Sequence, residues 1–217
     1  MPEPDSSFDL ASYFERIAYA GDRTPSRATL AALHLAHATH IPFENLDILL
    51  GRPIRLDLAS LTAKLVHGRR GGYCFEQNRL FAAALEALGF AVTTLAARVR
   101  FGTTSVRPRT HMLLQVDVDG DRLLADVGFG VFGLLIPVPL DDPGESRQFA
   151  WTYRIVREAG LYVLQLRTGG AWADLYAFTL EPQYPADYEM ANHYTSTHPS
   201  SRFVQALIRI AAGQVHG

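Results

Sequence analysis

The chain has 217 residues, of which 48% are hydrophobic and 19% are charged, and its formal net charge is −2. This composition is typical of a globular chain with a sizeable core, and it argues against a disordered segment and against a dedicated nucleic-acid binder. The single cysteine, Cys74, excludes an internal disulfide and a multi-thiolate zinc site. No apolar run approaches the roughly 18–20 residues of a membrane span. The acidic first residues lack a signal-peptide pattern, so we predict a soluble cytoplasmic protein.

Helical signals dominate up to about residue 90. Apolar spacing and capping residues predict helices over residues 8–18, 24–39, 57–68 and 74–88. Thr24-Pro25 is typical of an N-cap followed by proline at the first helical position. Asp57 can cap the third helix, and Gly68 should end it. We therefore predict an N-terminal helical bundle over residues 1–90.

After residue 90 the pattern indicates strands rich in Thr, Val and Leu. Asp119-Gly120 is a strong hairpin signal, because both residues tolerate the positive φ angles of a tight turn. The predicted strands cover residues 92–101, 111–118, 122–127, 149–156, 161–166 and 173–180. We predict an α+β fold in which a mostly antiparallel β-barrel or sandwich over residues 91–198 follows the helical bundle. A last helix is predicted from about Ser200 to Ala212, within a connecting segment that covers residues 199–217.

The first sign of chemistry is a cysteine that begins a predicted helix directly after two glycines, Gly71 and Gly72. A thiol in the first helical turn faces unpaired backbone N–H groups and the positive end of the helix dipole, and both favour the nucleophilic thiolate. The glycines allow the backbone to approach a substrate closely. The alternative is that Cys74 is a small buried hydrophobic residue, which is the usual role of a lone cysteine.

A thiolate nucleophile needs a base, and the base needs an orienting group. With a turn at Asp119-Gly120, residues whose numbers sum to 239 face each other, so His111 and Asp126 are diagonal neighbours. Moving the turn back by one residue would make them directly opposed, and slipping the pairing by one unit would put them on opposite faces. A carboxylate inside the apolar run 123–127 needs a partner. The alternative is a structural His–Asp pair without a catalytic role.

Four segments, in order, resemble motifs of the arylamine N-acetyltransferases. They are IPFENL at 41–46, RGGYCFEQN at 70–78, THMLL at 110–114 and DVGFG at 126–130. The resemblance spans residue 8 to about 205. It implies a helical bundle, a β-barrel and an α/β lid, the first two related to the cysteine-protease and transglutaminase core. It also implies acetyl transfer from acetyl-CoA to arylamines, arylhydroxylamines and hydrazines.

The resemblance implies a catalytic triad in which Cys74 is the nucleophile, His111 the base and Asp126 the residue that orients the base. The implied reaction is a double displacement through an acetyl-cysteine, with acetyl-CoA as co-substrate and no permanently bound cofactor or metal. The backbone N–H of Cys74 is a natural oxyanion donor. The implied partners are acetyl-CoA and a small aromatic amine or hydrazine, with no nucleic acid and no membrane.

The resemblance also implies binding residues. The positions similar to the family's aromatic wall around the acceptor ring are Phe43, Phe129 and Phe203. The positions similar to those that line the pantetheine path are Thr110 and Gly130. The phenylalanines have an alternative role in core packing. Arg70 resembles a supporting residue of the site, although its role could be confined to holding the turn before Cys74.

The chain departs from the family pattern soon after the predicted last helix. We expect most of the third domain, the lid, to be absent, so that acetyl transfer is weak and some acetyl-CoA is hydrolysed instead. Three alternatives stay open: a macrolactam-forming amide synthase with the same triad, a cysteine hydrolase with that triad, and a catalytically impaired truncated form.

Two further clusters favour an ordinary interpretation. Three histidines recur at helical spacing, namely His34, His37 and His40, but no carboxylate or thiol adjoins them, so we predict no metal site. Four arginines lie around the predicted turn after residue 99, namely Arg98, Arg100, Arg107 and Arg109. They could meet the phosphates of CoA, although alternation along a strand makes solvent-facing charges the default.

Overall fold

A large antiparallel sheet follows a group of helices in the computed structural model, which describes residues 8–210. The helices are α1 (Leu10–Arg16), α2 (Arg27–His40), α3 (Leu46–Leu49), α4 (Leu58–Leu61), α5 (Cys74–Ala87), α6 (Pro185–Thr197) and α7 (Arg202–Gln205), and a π-helical segment, Thr62–His67, continues α4. The strands are β1 (Phe43–Glu44), β2 (Ala91–Val99), β3 (His111–Val118), β4 (Asp121–Ala125), β5 (Val138–Pro139), β6 (Ser146–Gln148), β7 (Trp151–Glu158), β8 (Leu161–Thr168), β9 (Ala171–Phe178) and β10 (Arg209–Ile210). No helix within residues 8–210 is long and apolar enough to cross a membrane.

Helix α2 begins later than the sequence predicts. Ser26 is its N-cap, and the Ser26 side chain accepts a hydrogen bond from the N–H of Thr29 at 3.1 Å. The predicted start at Thr24-Pro25 is wrong because the N–H of Thr24 donates to Asp22 at 3.0 Å, which places Thr24 in the preceding turn. A serine and a threonine are both good caps, so the choice between them depends on this local hydrogen bond.

The predicted third helix has the predicted ends but a different interior. Asp57 caps α4 by accepting a hydrogen bond from the N–H of Ser60 at 2.9 Å. The helix ends at Gly68, as predicted, but its second half is π-helical rather than α-helical. Lys64 lies in this π-helical segment, and its ammonium group pairs with Asp47 of α3 and with Glu76 of α5.

Eight strands form one antiparallel, barrel-like sheet in the order β5-β4-β3-β2-β9-β8-β7-β6, and β1 pairs with β10 separately. The predicted mixture of helices with an antiparallel sheet is confirmed. The β3–β4 hairpin has the predicted register, which pairs Leu114 with Ala125. At its turn, Asp119 and Gly120 have φ angles of 55° and 81°, as a tight two-residue turn requires.

The sheet separates two apolar cores. Met112 and Leu114 of β3 pack in the core that contains the helices, whereas Leu113 packs in a second core formed mainly by the strands. On the paired strand, Leu124 also lies in the second core. This alternation follows from the two-residue period of a strand. Because the register is fixed, His111 and the residue after β4, Asp126, fall together at the open end of the hairpin.

Helix α6 was not predicted from the sequence. Its buried residues are Tyr188, Asn192 and Thr195, a narrow and partly polar stripe that gives little apolar periodicity. Its start does carry a local signal, because Pro185 opens the helix and Asp187 accepts a hydrogen bond from the N–H of Tyr184 at 2.8 Å.

The predicted helix from Ser200 to Ala212 is wrong within the described residues, and Ala212 itself lies outside them. Only the single turn of α7 forms there, and the chain then extends into β10, which pairs with β1. The side chain of Asn45 stops the helix. Its amide donates to the carbonyls of Phe203 and Ala206 at 2.7 and 2.8 Å, and its oxygen accepts from the N–H of Ile208 at 2.7 Å.

Candidate active site

The loop before Cys74 is held against the segment that contains β1. The N–H of Glu44 donates to the carbonyl of Gly72 at 3.1 Å, and the N–H of Gly72 donates to the carbonyl of Pro42 at 3.3 Å. A side chain at Gly71 would lie 2.1 Å from the Pro42 carbonyl oxygen, so only glycine fits this close approach. Cys74 therefore lies at the first position of α5, directly after this loop, where its N–H has no intrahelical acceptor.

A buried ion network holds the start of α5. The N–H of Tyr73 donates to one carboxylate oxygen of Glu76 at 3.1 Å, and the ammonium of Lys64 donates to the other at 2.7 Å. Lys64 also pairs with Asp47 at 2.7 Å. Burial raises the pKa of Glu76 to about 7, and Lys64 opposes that rise only in part. Glu76 thus satisfies the N–H of the N-cap residue, Tyr73, whose own side chain makes no capping hydrogen bond.

We expect Lys64→Met to destabilise the protein more than Glu76→Gln. The first variant leaves two buried carboxylates without their shared cation and should cost about 3 kcal/mol of unfolding free energy. The second should cost about 1 kcal/mol, because a glutamine oxygen can still accept from Tyr73 while Lys64 keeps Asp47. Urea unfolding above the pKa of Glu76 measures both costs. Equal costs would show that the lysine does not serve both carboxylates.

The three residues predicted as a triad lie together. Nε2 of His111 donates to Oδ2 of Asp126 at 2.7 Å, which leaves Nδ1 for the sulfur. The Cys74 thiol donates to the carbonyl of Thr110, the residue before His111, at 3.7 Å. All three side chains are buried, and Cys74 keeps 3% of its surface exposed. Their catalytic roles stay predictions.

The electrostatics of the pair favour a charged imidazole. Burial alone would lower the pKa of His111, but the carboxylate of Asp126 and the sulfur of Cys74 raise it to about 10. Burial would likewise raise the pKa of Asp126, but the imidazolium and the hydrogen bonds to its oxygens hold the pKa below its ordinary value. Each partner therefore stabilises the ionised form of the other.

Asp126 is held from three sides. Its Oδ1 accepts hydrogen bonds from the amide of Asn78 and from the N–H of Gly128, both at 2.9 Å, and its own N–H donates to Nε2 of His34 at 3.1 Å. A side chain at Gly128 would lie 2.8 Å from the Cα of Cys74, so glycine is required where this loop passes α5. The carboxylate has little freedom to turn away from His111.

The three predicted aromatic binding residues surround the Cys74 loop. The ring of Phe129 lies edge-on to His111 with centroids 5.1 Å apart, and the ring of Phe203 lies edge-on to Tyr73 at 5.5 Å. Phe43 packs against Phe203 at 6.1 Å and is 8% exposed. Phe129 and Phe203 are half-buried, so they have more free surface for a ligand, whereas Phe43 is mainly a core residue.

Arg70 takes part in the loop rather than in the sulfur–imidazole contact. Its guanidinium donates twice to one oxygen of Glu44, at 3.0 and 2.7 Å, and lies 3.2 Å from Asp47. The carbonyl of Thr110 faces the Cys74 thiol, as described above. Gly130 has a φ of +93°, and a side chain there would meet Ile210 at 3.0 Å. Its conformation therefore favours glycine.

The histidines and arginines set aside in the sequence have partners of their own. His37 bonds to Tyr13 at 2.8 Å and to Gln77 at 2.7 Å, and His40 is exposed. No group of three potential ligands within residues 8–210 is arranged to hold a metal.

Four arginines line an open cavity beside the β2–β3 connection, namely Arg98, Arg100, Arg107 and Arg109. Arg100 and Arg109 pair there with acidic side chains, and both interpretations of the four stay open.

The sequence analysis did not predict several side chains that contact the predicted triad or hold the helix that carries Cys74. The spacing of Asn78 could have indicated a place near the site, because it lies four residues after Cys74 and so shares its helix face. His34 and Lys64 gave no such indication, since their partners are distant in sequence and only the tertiary structure brings them together.

Comparisons with known proteins agree with one another. A family model described as N-acetyltransferase matches residues 27–214. A Salmonella typhimurium protein named arylamine N-acetyltransferase / N-hydroxyarylamine O-acetyltransferase is 42% identical over 200 residues, which is 92% of this chain and 71% of that protein.

Solved structures give the same result. The structure of an arylamine N-acetyltransferase from Salmonella typhimurium has a TM-score of 0.90 at 40% identity, and the match covers 94% of this chain and 76% of that one. The Mycobacterium marinum arylamine N-acetyltransferase in complex with CoA has a TM-score of 0.88 at 36% identity, with 93% and 76% covered.

Proposed function

This chain belongs to the arylamine N-acetyltransferase family, and on that premise we propose that it moves acetyl groups from acetyl-CoA to arylamines through an acetyl-cysteine. The observation that carries the proposal is the buried arrangement in which the Cys74 thiol lies 3.7 Å from the carbonyl of Thr110, next to His111, while His111 bonds to Asp126 at 2.7 Å. The acceptors are small aromatic amines, arylhydroxylamines or hydrazines. A neutral aromatic amine is a weak nucleophile, so it needs an activated acyl group, which a thioester supplies.

In the first half-reaction, the thiolate of Cys74 attacks the thioester carbonyl of acetyl-CoA. The carbonyl oxygen becomes an oxyanion, for which the N–H of Cys74 at the start of α5 is a suitable donor. The intermediate then collapses, the carbon–sulfur bond to CoA breaks, and the departing CoA thiolate takes the proton of the His111 imidazolium. Acetyl-Cys74 and a neutral His111 result.

In the second half-reaction, His111 acts as the base. The charge on the Cys74 sulfur is one of the causes of the high pKa of His111, and acetylation removes that charge. The imidazole then accepts the proton of the attacking amine, while Asp126 keeps Nδ1 directed at the reacting atoms. Collapse of the second intermediate releases the amide and restores the ion pair.

We place the acceptor ring between Phe129 and Phe203 and the pantetheine arm along Thr110 and Gly130. Phe129 packs edge-on to His111 and keeps free surface, so an amine stacked on it is close to the base. The thiol faces the Thr110 carbonyl, which puts that strand end next to the donor thioester. Arg70 supports the site through Glu44.

We also propose that residues 1–90 and 91–198 are two domains of a cysteine-protease/transglutaminase-like core, followed by a connecting segment, 199–217. A cysteine at a helix start opposite a histidine and an aspartate from neighbouring antiparallel strands supports this proposal. Helix α6 belongs to the second range by sequence but packs against the first, since Tyr188 contacts Phe75.

Intact-mass measurement after mixing with acetyl-CoA tests the proposed function. We expect a mass increase of one acetyl group on Cys74, which disappears when an arylamine is added and is matched by acetylated amine. Absence of the adduct would favour a catalytically impaired form. Adduct loss and CoA release that proceed equally well without amine would favour a cysteine hydrolase. An acetyl adduct that no small arylamine removes would favour an amide synthase with another acceptor.

A further inference from the structure

The amide of Asp126 lies where the hairpin stops providing hydrogen-bond partners. The last pair of the β3–β4 ladder joins Leu114 to Ala125, one residue before Asp126. Asp126 is fully buried, so its backbone N–H would lose a partner without water to replace it. Nε2 of His34, which reaches across from α2, accepts that hydrogen bond at 3.1 Å.

This bond requires one protonation state of His34. A backbone amide can only donate, so Nε2 must carry its lone pair and the ring proton must sit on Nδ1. Burial lowers the pKa of His34 to about 4, although the Leu135 backbone and the Asp126 carboxylate partly oppose this change. The ring is therefore a neutral acceptor at physiological pH.

The position of the ring is itself fixed by the nucleophile helix. His34 is fully buried and meets Phe81 of α5 edge-on, with ring centroids 5.6 Å apart and planes at 89°. The amide group of Asn78, on the same helix, donates to the Asp126 carboxylate, and its oxygen accepts from the N–H of Val127 at 3.1 Å. Helices α2 and α5 thus hold this short segment through its backbone as well as through its side chain.

We propose that His34 is a positioning residue for the acetyl-transfer site, because it fixes the backbone of Asp126 so that the carboxylate stays aimed at His111. The proposal rests on the proposed function, in which the orientation of His111 determines how fast Cys74 is acylated. His34 touches neither the sulfur nor the imidazole, so its effect passes through Asp126. A misplacement of about 1 Å among reacting groups can cost on the order of 100-fold in rate.

Three substitutions at His34 distinguish the effect of losing the hydrogen-bond acceptor from the effect of changing the size of the side chain. His34→Gln places an oxygen near the position of Nε2 and can still accept from Asp126, whereas the shorter side chain in His34→Asn cannot reach it. His34→Leu fills similar space with no acceptor. His40→Gln, at the exposed end of the same helix, is the matched control. Each variant is compared in acylation rate with acetyl-CoA, KM for acetyl-CoA, alkylation rate of Cys74 by iodoacetamide and urea unfolding.

We expect His34→Leu and His34→Asn to lower the acylation rate by about tenfold or more, with KM unchanged, and to slow alkylation. His34→Gln should recover most of both rates, and His40→Gln should match the parent protein. If His34→Leu does not fold, the comparison of His34→Gln with His34→Asn tests the proposal. Equal losses in Gln and Asn, or parent-like rates in Asn, would overturn the proposal. If the parent protein takes no acetyl group from acetyl-CoA, the proposed function fails, while the alkylation rates still test His34.

Discussion

Cys74→Ala and Cys74→Ser should both abolish acetyl transfer, with losses of about 10⁴-fold or more in kcat/KM. Alanine removes the nucleophile. Serine keeps a nucleophile beside His111, but its hydroxyl is a poor nucleophile without full deprotonation, and an acetyl ester is a weaker donor to an aromatic amine than a thioester. Both are small side chains for the site of a buried residue, so folding should survive. Arylamine acetylation and intact mass after mixing with acetyl-CoA measure the loss.

The composition of the chain makes this test unusually clear. Cys74 is the only cysteine, and Lys64 is the only lysine. Lys64 is paired with two carboxylates, so background acetylation of amines is confined essentially to the N-terminus. Peptide mapping of the parent protein and of Cys74→Ala supplies the control. An adduct of equal size in both would show that the acetyl group is not carried on the cysteine.

The features that the sequence predicted well are those set by local rules. The Asp119-Gly120 turn fixed the hairpin register, and the register brought His111 and Asp126 to one end of the sheet. The helix that starts at Cys74 followed from its apolar spacing and the glycine after it. In each case, the relevant neighbours lie within a few residues or across one turn, where propensity and periodicity apply directly.

The features that the sequence could not predict depend on distant contacts. The residues after 205 do not continue as a helix, because the Asn45 side chain takes the carbonyls and the N–H that a helix would use. His34 has the spacing of a helical histidine cluster, yet its partner is a backbone amide in another part of the chain. Such hydrogen bonds satisfy buried backbone groups, but their partners are distant in sequence, so a local sequence pattern cannot predict them.

Asp126→Asn should lower kcat/KM by about 10³- to 10⁴-fold while leaving the fold intact. The asparagine is nearly isosteric, and its oxygen can keep the hydrogen bonds from Asn78 and Gly128. Its NH₂ group then faces Nε2 of His111, where two donors would meet, so the imidazole must change tautomer or turn. The proton on Nε2 would move to Nδ1, which is the nitrogen that the sulfur needs. Steady-state kinetics with an arylamine measures the effect.

The same variant has a second consequence, in the pH dependence of stability. Asp126 and Cys74 raise the pKa of His111 from 6.5 to about 10, so the stability that the charged imidazole gains from its partners is fully present just below pH 6.5, where Asp126 is still ionised, and is lost as the pH rises through about 10. In Asp126→Asn, that alkaline loss should largely disappear. Asp117→Asn, at an exposed position of the same hairpin, is the control and should keep both activity and pH dependence. An Asp126→Asn enzyme with nearly parental kcat/KM would show that the carboxylate does not orient the base.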